Sequence, residues 1–201
     1  MAMVLRKQLT MLGAGLLLLL AGLPLAYQFW PARPPPPTVI GSDAVQGLQQ
    51  LQSHAGANAE DWQGERWTLV FFGFTHCADV CPATLSRIVT VLDQLGEQAA
   101  QLQPLFITLD PERDTPEHLT AYIRFFDKRI QGLTGTPEQI RQVAEAWGVY
   151  SRKVPLNGSY MLDHSSSLYL LQPDGELVRR FSGQQGSADL ADEIAMLLTT
   201  Y

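Results

Sequence analysis

The sequence predicts an α/β domain, with a central mixed β-sheet flanked by helices, preceded by one membrane-spanning helix. Three observations support this prediction. Residues 9–28 carry no charged side chain, residues 31–37 are mostly proline, and beyond them apolar runs alternate with segments of helical periodicity. The proline run marks the boundary, so residues 39–201 form one domain of ordinary size.

The N-terminal region has the composition of a membrane anchor. Arg6 and Lys7 precede the uncharged segment 9–28, which at about 1.5 Å per residue can cross a hydrocarbon core of roughly 30 Å. The cationic flank keeps residues 1–8 in the cytoplasm and sends the remainder across the membrane. A cleaved signal peptide is the alternative, but residues 24–26 (Pro-Leu-Ala) make a poor cleavage site. Residues 29–38 then form a stiff linker.

The first predicted elements of the domain are two buried strands and the helix between them. Residues 67–74 form an unbroken apolar strand, and a helix runs from Pro82 to a stop at Gly96. A second apolar strand, residues 105–109, ends at an Asp-Pro pair. The helix places one set of side chains inward: Leu85, Ile88, Val89, Leu92 and Leu95.

The rest of the domain alternates in the same way. Two Thr-Pro-Glu sequences, at Thr115 and Thr136, predict helix starts. Short strands follow around residues 149–154, 167–171 and 177–181, with turns at Asn157-Gly158 and residues 173–175. A final helix carries Leu190, Ile194 and Leu197. The order βαβα, a further helix and then ββα is typical of a thioredoxin-like fold.

Charge gives little indication of a macromolecular partner. The net charge is −6, and no basic cluster is present. Nothing in the composition favours nucleic acid.

Cys77 and Cys81 are the only cysteines, and they lie where the first strand meets the first helix. Pro82 disfavours the α conformation at Cys81 and suits the first helical position, so Cys81 is expected at the helix mouth. The positive end of the helix dipole favours a thiolate there. In open α/β sheets this edge is also where ligands bind.

Three functions compete for this cysteine pair. A structural disulfide would close so small a loop that it would stabilise the fold only modestly. A thiol–disulfide exchanger needs a nucleophilic thiolate with a resolving thiol close by, although its usual spacing is one residue shorter. A soft-metal site would use both thiolates and one imidazole to hold Cu(I).

The copper hypothesis requires a histidine, and the chain has four. His54 is expected in a solvated loop, and His118 in an exposed first turn of a helix. His76 adjoins Cys77, so chain geometry makes it awkward for both to ligate one ion. His164 precedes a strand after a long irregular segment, where a lone histidine is more often a hydrogen-bonded core residue than a ligand. The residues alone therefore leave the third ligand open.

Four separated motifs carry a family resemblance. They are residues 72–82 (FGFTHCADVCP), 110–116 (DPERDTP), 133–135 (LTG) and 163–165 (DHS). Together they resemble the Sco/SenC family, whose members are membrane-anchored thioredoxin-like proteins. The resemblance implies that Cys77, Cys81 and His164 bind copper, as Cu(I) or Cu(II).

The resemblance also implies a role and a location. Members help to build the dinuclear copper centre of cytochrome c oxidase, so its copper-bearing subunit and other copper-handling proteins are the expected partners. The expected location is a bacterial inner membrane, crossed once, with the domain in the periplasm. Copper delivery needs no catalytic turnover, whereas reduction of a partner's disulfide by the same sulfurs would be a modest oxidoreductase activity.

The sequence departs from the family at two places. Ala78 stands where a proline is common between the cysteines. Members carry a short hairpin in the region of residues 39–64, whereas here residues 47–53 favour a helix. Among the flanking polar residues, Asp163 is a candidate acceptor for the ring of His164, and Asp79 is expected either to bond loop amides or to tune the thiolates. Arg113 and Asp114 are expected to position the second helix.

Overall fold

The computed structural model describes residues 42–54 and 66–200. The predicted cytoplasmic residues 1–8, anchor 9–28 and linker 29–38 lie outside these ranges. Within them, no helix combines the length and the apolar composition that crossing a membrane requires.

The described residues form five α-helices and eight strands. The helices are α1 Ser42–Gln49, α2 Val80–Leu95, α3 Pro116–Arg124, α4 Pro137–Ala146 and α5 Ser187–Thr200, with a 3-10 helix at Gly96–Gln101. The strands are β1 Gln52–Ser53, β2 Trp67–Gly73, β3 Leu102–Thr108, β4 Gln131–Thr134, β5 Ser151–Leu156, β6 Ser159–His164, β7 Leu168–Leu171 and β8 Leu177–Phe181.

Six strands form one mixed sheet in the order β1-β4-β3-β2-β7-β8. Strands β2, β3 and β4 run parallel, while β7 pairs antiparallel with β2. Every residue of β2 and β3 is buried, as expected for central strands covered on both faces. Helix α2 packs against α5, and α1 packs against α4. The predicted thioredoxin-like α/β fold is confirmed.

Strands β5 and β6 form a separate two-stranded sheet. Their register runs from Ser151 opposite His164 to Leu156 opposite Ser159. Asn157 and Gly158 connect them with φ angles of 42° and 81°, which is the backbone that a tight hairpin turn demands. All six residues of β5 are exposed, so this hairpin, residues 151–164, projects from the core.

Both Thr-Pro-Glu helix starts are confirmed. Thr115 and Thr136 cap α3 and α4 through their side-chain oxygens, and each helix begins at the following proline. Helix α4 ends at Ala146, with Trp147 at its C-cap position and Gly148, whose φ is 61°, directly after it.

Three strands, β1, β4 and β6, were missed, and several boundaries differ from the predicted ones. Strand β4 is only four residues long, too short for a periodic pattern, and β6 belongs to an exposed hairpin that needs no apolar alternation. Strand β3 begins three residues before the predicted start at Leu105. The helix predicted across residues 47–53 lies earlier, as α1, and its last predicted residues instead form β1.

Candidate metal centre

The two cysteines lie at the start of α2, but not in the predicted way. Helix α2 begins at Val80, with Asp79 at the N-cap position, so Cys81 is a first-turn residue inside the helix. Pro82 is tolerated two positions later than expected, as the third helical residue, because the amide groups of a first turn have no acceptor within the helix. The dipole argument is unchanged, since both sulfurs still lie at the positive end.

A glycine lets Cys81 pack against the end of β2. A Cβ atom added at Gly73 would lie 2.9 Å from Cys81 Sγ and 2.7 Å from the ring of Phe106, closer than carbon contacts allow. Cys81 is fully buried, whereas Cys77 is half-buried. Both are free thiols in the structure.

The two thiols have opposite acidities. The Cys81 thiol donates a hydrogen bond to Cys77 Sγ, and the backbone amides of Cys81, Asp79 and Val80 donate to the same sulfur. These bonds lower the pKa of Cys77 to about 5, although burial opposes the shift. The same thiol–thiolate contact raises the pKa of Cys81, with burial and the charges of Cys77 and Asp114 adding to the effect. At neutral pH the pair therefore holds one half-buried thiolate and one buried thiol.

His164 reaches the pair from the hairpin. It is the last residue of β6, rather than part of an irregular segment, and its Nε2 lies 3.6 Å from Cys81 Sγ. Its Nδ1 lies 2.7 Å from the carbonyl oxygen of Ser165. A carbonyl only accepts, so Nδ1 carries a proton, and in the neutral form of the ring the lone pair of Nε2 is directed at the sulfur. The edge of Phe74 packs against the ring, with centroids 5.6 Å apart.

Asp163 does not hold the ring of His164, so that prediction is wrong. Its carboxylate lies 3.6 Å from Arg152 Nη2, and both side chains are more than half exposed. Neighbouring residues on a strand point to opposite sides, and Asp163 belongs to β6. The acceptor that sets the tautomer is the backbone carbonyl of Ser165, which no sequence pattern indicates.

Asp114 fastens the loop before the cysteines rather than capping a helix. Its buried carboxylate accepts from the Thr75 amide at 3.0 Å, the Thr75 hydroxyl at 2.6 Å and the Thr108 hydroxyl at 2.6 Å. This ties the end of β2 and the end of β3 to one residue. Sequence reasoning missed Thr75 and Thr108, because nothing distinguishes a buried hydroxyl donor from an ordinary threonine.

Arg113 joins the hairpin to the core. Its guanidinium pairs with Asp110 and lies over the ring of Tyr160, 3.8 Å from the centroid. The Tyr160 hydroxyl donates to Asp110 at 2.6 Å. Lys153 stacks over the same ring and also pairs with Glu112 at 2.6 Å. Arg113 therefore positions the β5–β6 hairpin, not α3 as predicted.

The remaining candidates lie outside the sulfur site. Asp79 is exposed and makes no side-chain cap bond. His54 is half-buried, and its Nδ1 accepts from the Gly132 amide at 2.9 Å. Its predicted place in a solvated loop is therefore wrong. His118 is exposed, as expected, and packs against the exposed His76 with ring centroids 5.2 Å apart.

The sheet order and the site together define a thioredoxin-like protein in which a histidine lies against the buried member of the cysteine pair at the start of α2. The chain belongs to the SCO1/SenC family, whose family model matches residues 39–199.

Three known proteins illustrate the similarity. The chain is 38% identical over 168 residues to "Protein SCO1 homolog, mitochondrial" of Homo sapiens, a match that covers 81% of this chain and 56% of the human protein. The chain thus spans about half the length of this curated relative. A crystal structure of Arabidopsis thaliana ScoI with copper bound has a TM-score of 0.71 at 33% identity, covering 75% of this chain and 96% of that one. Bradyrhizobium japonicum ScoI with copper bound has a TM-score of 0.67 at 37% identity, covering 73% and 95%.

Proposed function

We propose that this protein binds copper through Cys77, Cys81 and His164 and carries it to the dinuclear copper centre of cytochrome c oxidase. One observation carries the proposal: the Nε2 lone pair of His164 faces Cys81 Sγ at 3.6 Å, beside a Cys77 thiolate. The two ScoI structures with copper bound support it. The oxidase subunit as recipient follows from the family resemblance.

The donor set suits Cu(I) best. Two thiolates and one imidazole satisfy a soft ion of low coordination number, and Cu(II) would need additional oxygen or water ligands. Loading requires the Cys81 proton to leave, since its pKa is raised, whereas Cys77 is already deprotonated at neutral pH. Copper binding therefore releases a proton and weakens in acid.

The unequal exposure of the sulfurs suggests an order for delivery. Cys77 is half-buried and its neighbours Ala78 and Asp79 are exposed, whereas Cys81 lies in the core. A partner thiolate would thus displace Cys77 first and Cys81 last. Each exchange replaces one sulfur ligand by another, so the ion is never released to water.

The same two thiols support a second candidate function, reduction of a partner's disulfide. The observation in its favour is the pKa of about 5 at Cys77 next to a protonated Cys81, the usual arrangement of an attacking and a resolving cysteine. The Cys77 thiolate attacks the partner's disulfide and releases one thiolate. Cys81 then resolves the mixed disulfide, which releases the second thiol and leaves a Cys77–Cys81 disulfide. Turnover requires an external thiol reductant.

The proposed setting is a bacterial inner membrane, with residues 1–8 in the cytoplasm, 9–28 as anchor, 29–38 as linker and 39–201 as the periplasmic domain. Two results would support it: retention in membranes after an alkaline wash, and digestion of the domain by protease added to the outer face of spheroplasts. Release by the wash would contradict the anchor.

Titration of the reduced protein with Cu(I), against a chromophoric chelator, tests the copper site. The parent and His164→Ala are compared, with His118→Ala as a matched control that removes an exposed imidazole. We expect one tightly bound equivalent in the parent and the control, and an affinity lower by about a hundredfold or more in His164→Ala, because an ion loses a direct ligand. Equal affinity in all three would reject His164 as a ligand and favour the thiol-exchange function.

A further inference from the structure

A second cluster of potential metal ligands lies beside the sulfur site. One ligand atom from each of His76, Asp114 and His118 lies within 4.8 Å of the others. Two atoms bound to one ion at about 2.0–2.1 Å stand up to about 4 Å apart, so closure onto an ion needs movements of less than 1 Å. His76 has 43% of its side chain exposed and His118 is also exposed, so both rings can turn.

The proton positions favour a cation. His118 Nδ1 lies 3.0 Å from the carbonyl oxygen of Arg113 and must donate to it, so Nε2 of the neutral ring keeps its lone pair. The Thr75 hydroxyl donates to Asp114 at 2.6 Å, so its oxygen is left to accept from His76 Nδ1 at 3.1 Å. Nδ1 is the His76 atom that lies 3.8 Å from the Asp114 carboxylate, so an ion between them would select the tautomer with the proton on Nε2 and replace the hydrogen bond to Thr75.

The charge at Asp114 points the same way. Its buried carboxylate receives three hydrogen bonds from neutral groups. Across the described ranges 42–54 and 66–200, His76 is the one basic side chain within 4 Å of this carboxylate, at 3.8 Å. A buried carboxylate without a permanent cation beside it, facing two imidazoles, is an environment that a divalent ion would stabilise.

We propose that His76, His118 and Asp114 form an accessory site for a divalent ion that prefers imidazole, with Cu(II) the strongest binder. Nitrogen and oxygen donors with open positions suit Cu(II), which also heads the affinity order of the first-row divalent ions. The site is chemically distinct from the sulfur site, which favours Cu(I). Because His76 adjoins Cys77, the two sites lie side by side on one surface loop, and the accessory site can hold an oxidised ion next to the thiol pair.

The test uses the full chain with Cys77→Ser and Cys81→Ser, which removes both sulfurs and their reaction with Cu(II). One equivalent of Cu(II) is added, and electron paramagnetic resonance reports nitrogen coupling and affinity. In this background we expect His118→Ala and His76→Ala each to weaken binding by about tenfold or more and to reduce the nitrogen coupling. Glu117→Ala, on the same exposed turn as His118, is the matched control that leaves both readouts unchanged, and His164→Ala reports any Cu(II) held by what remains of the sulfur site.

The outcomes separate this site from the sulfur site. Loss of binding with His164→Ala but not with His118→Ala would overturn the proposal and leave the Cys/His site untouched. If the serine background does not fold, the parent with intact thiols is titrated with Zn(II), which thiolates and imidazoles both bind. The parent should then take up one equivalent more than His118→Ala, and equal uptake by the two would overturn the proposal.

Discussion

The two halves of the sulfur site are built in different ways. Cys81 is fully buried against β2, and the adjoining loop is tied to the core through Thr75 and Asp114. His164 instead ends a hairpin whose first strand is exposed at all six residues. That hairpin is joined to the core by polar contacts around Tyr160 and by the packing of Leu162, and in part Tyr160 and Met161, against the hydrophobic core. The comparison teaches that Cys81 is fixed by core packing, whereas His164 is carried by a mostly exposed hairpin that one buried leucine and a set of polar contacts attach to the core.

If the protein delivers copper as proposed, it must both hold the ion and give it up, and this difference then matters. A preorganised pair of ligands adds affinity because little order is lost on binding. A ligand on a mostly exposed element can leave at a lower cost than a ligand in the core, since such elements open locally at low free energy. The hairpin is thus the natural place for capture and release to be controlled.

Gly73→Ala would disturb the buried half of the sulfur site, at Cys81. The new Cβ would meet Phe106 at 2.7 Å and Cys81 Sγ at 2.9 Å, and overpacking of this kind costs about 1–3 kcal/mol. We expect that loss in urea unfolding, together with weaker Cu(I) binding because Cys81 must move. Gly186→Ala is the matched control, since its nearest contact is Asp189 at 3.7 Å. Equal stability of both variants would show that β2 does not constrain Cys81.

The pH dependence of thiol alkylation sharpens the comparison. The thiolate is the reactive form, and the pKa of Cys77 is lowered to about 5. Its alkylation rate should therefore be constant from neutral pH down to about pH 6 and fall about tenfold by pH 4 as the thiolate is protonated. Cys81, buried and with a raised pKa, should not react. Mass spectrometry of the timed reaction measures both.

Cys81→Ala provides the control for that profile. The hydrogen bond from the Cys81 thiol is the largest cause of the low pKa at Cys77, so the midpoint should rise in this variant. A parent midpoint at the ordinary thiol value, near about 8.5, would contradict the asymmetry of the pair.

Tyr160→Phe would weaken the attachment of the β5–β6 hairpin, which carries His164. The change removes the hydroxyl that donates to the buried Asp110 at 2.6 Å and keeps the ring between Arg113 and Lys153. One such bond contributes about 1 kcal/mol, so Cu(I) affinity should fall about fivefold while the Cys77 alkylation profile stays unchanged. Tyr150→Phe, at an exposed tyrosine next to the hairpin, is the matched control. A shifted alkylation profile in Tyr160→Phe would mean that the two halves are not independent.

The same contrast decided what the sequence could predict. Strand β2, helix α2 and the cysteines between them follow from hydrophobic periodicity, since a buried element must show its buried face in the sequence. The exposed hairpin needs no such apolar pattern. Asn157-Gly158 therefore predicted a turn, but strand β6 after it was missed. The proximity of His164 to Cys81 spans 83 positions, and only the resemblance of separated motifs indicated it.

Polar contacts were the least predictable feature. The Thr75 and Thr108 hydroxyls that donate to Asp114, and the Ser165 carbonyl that accepts from His164, have no signature in composition or spacing. A threonine or a backbone carbonyl is equally compatible with a solvent-exposed position. Asp163 was chosen as the acceptor on the strength of adjacency alone. In strand β6 the side chain of Asp163 points to the side opposite that of His164.

Asp163→Asn tests that correction and has the smallest expected effect. An exposed pair such as Asp163 with Arg152, at 3.6 Å, contributes about 0.5 kcal/mol or less, so Cu(I) affinity and stability should remain within about twofold of the parent. A carboxylate that oriented the imidazole would instead cost about 10–100-fold in metal affinity when neutralised. Chelator competition resolves the two, with His164→Ala as the reference for full loss of the ligand. A tenfold decrease in Asp163→Asn would mean that metal loading turns Asp163 toward the ring, and the hairpin would then be a switch that rearranges on binding rather than a fixed arm.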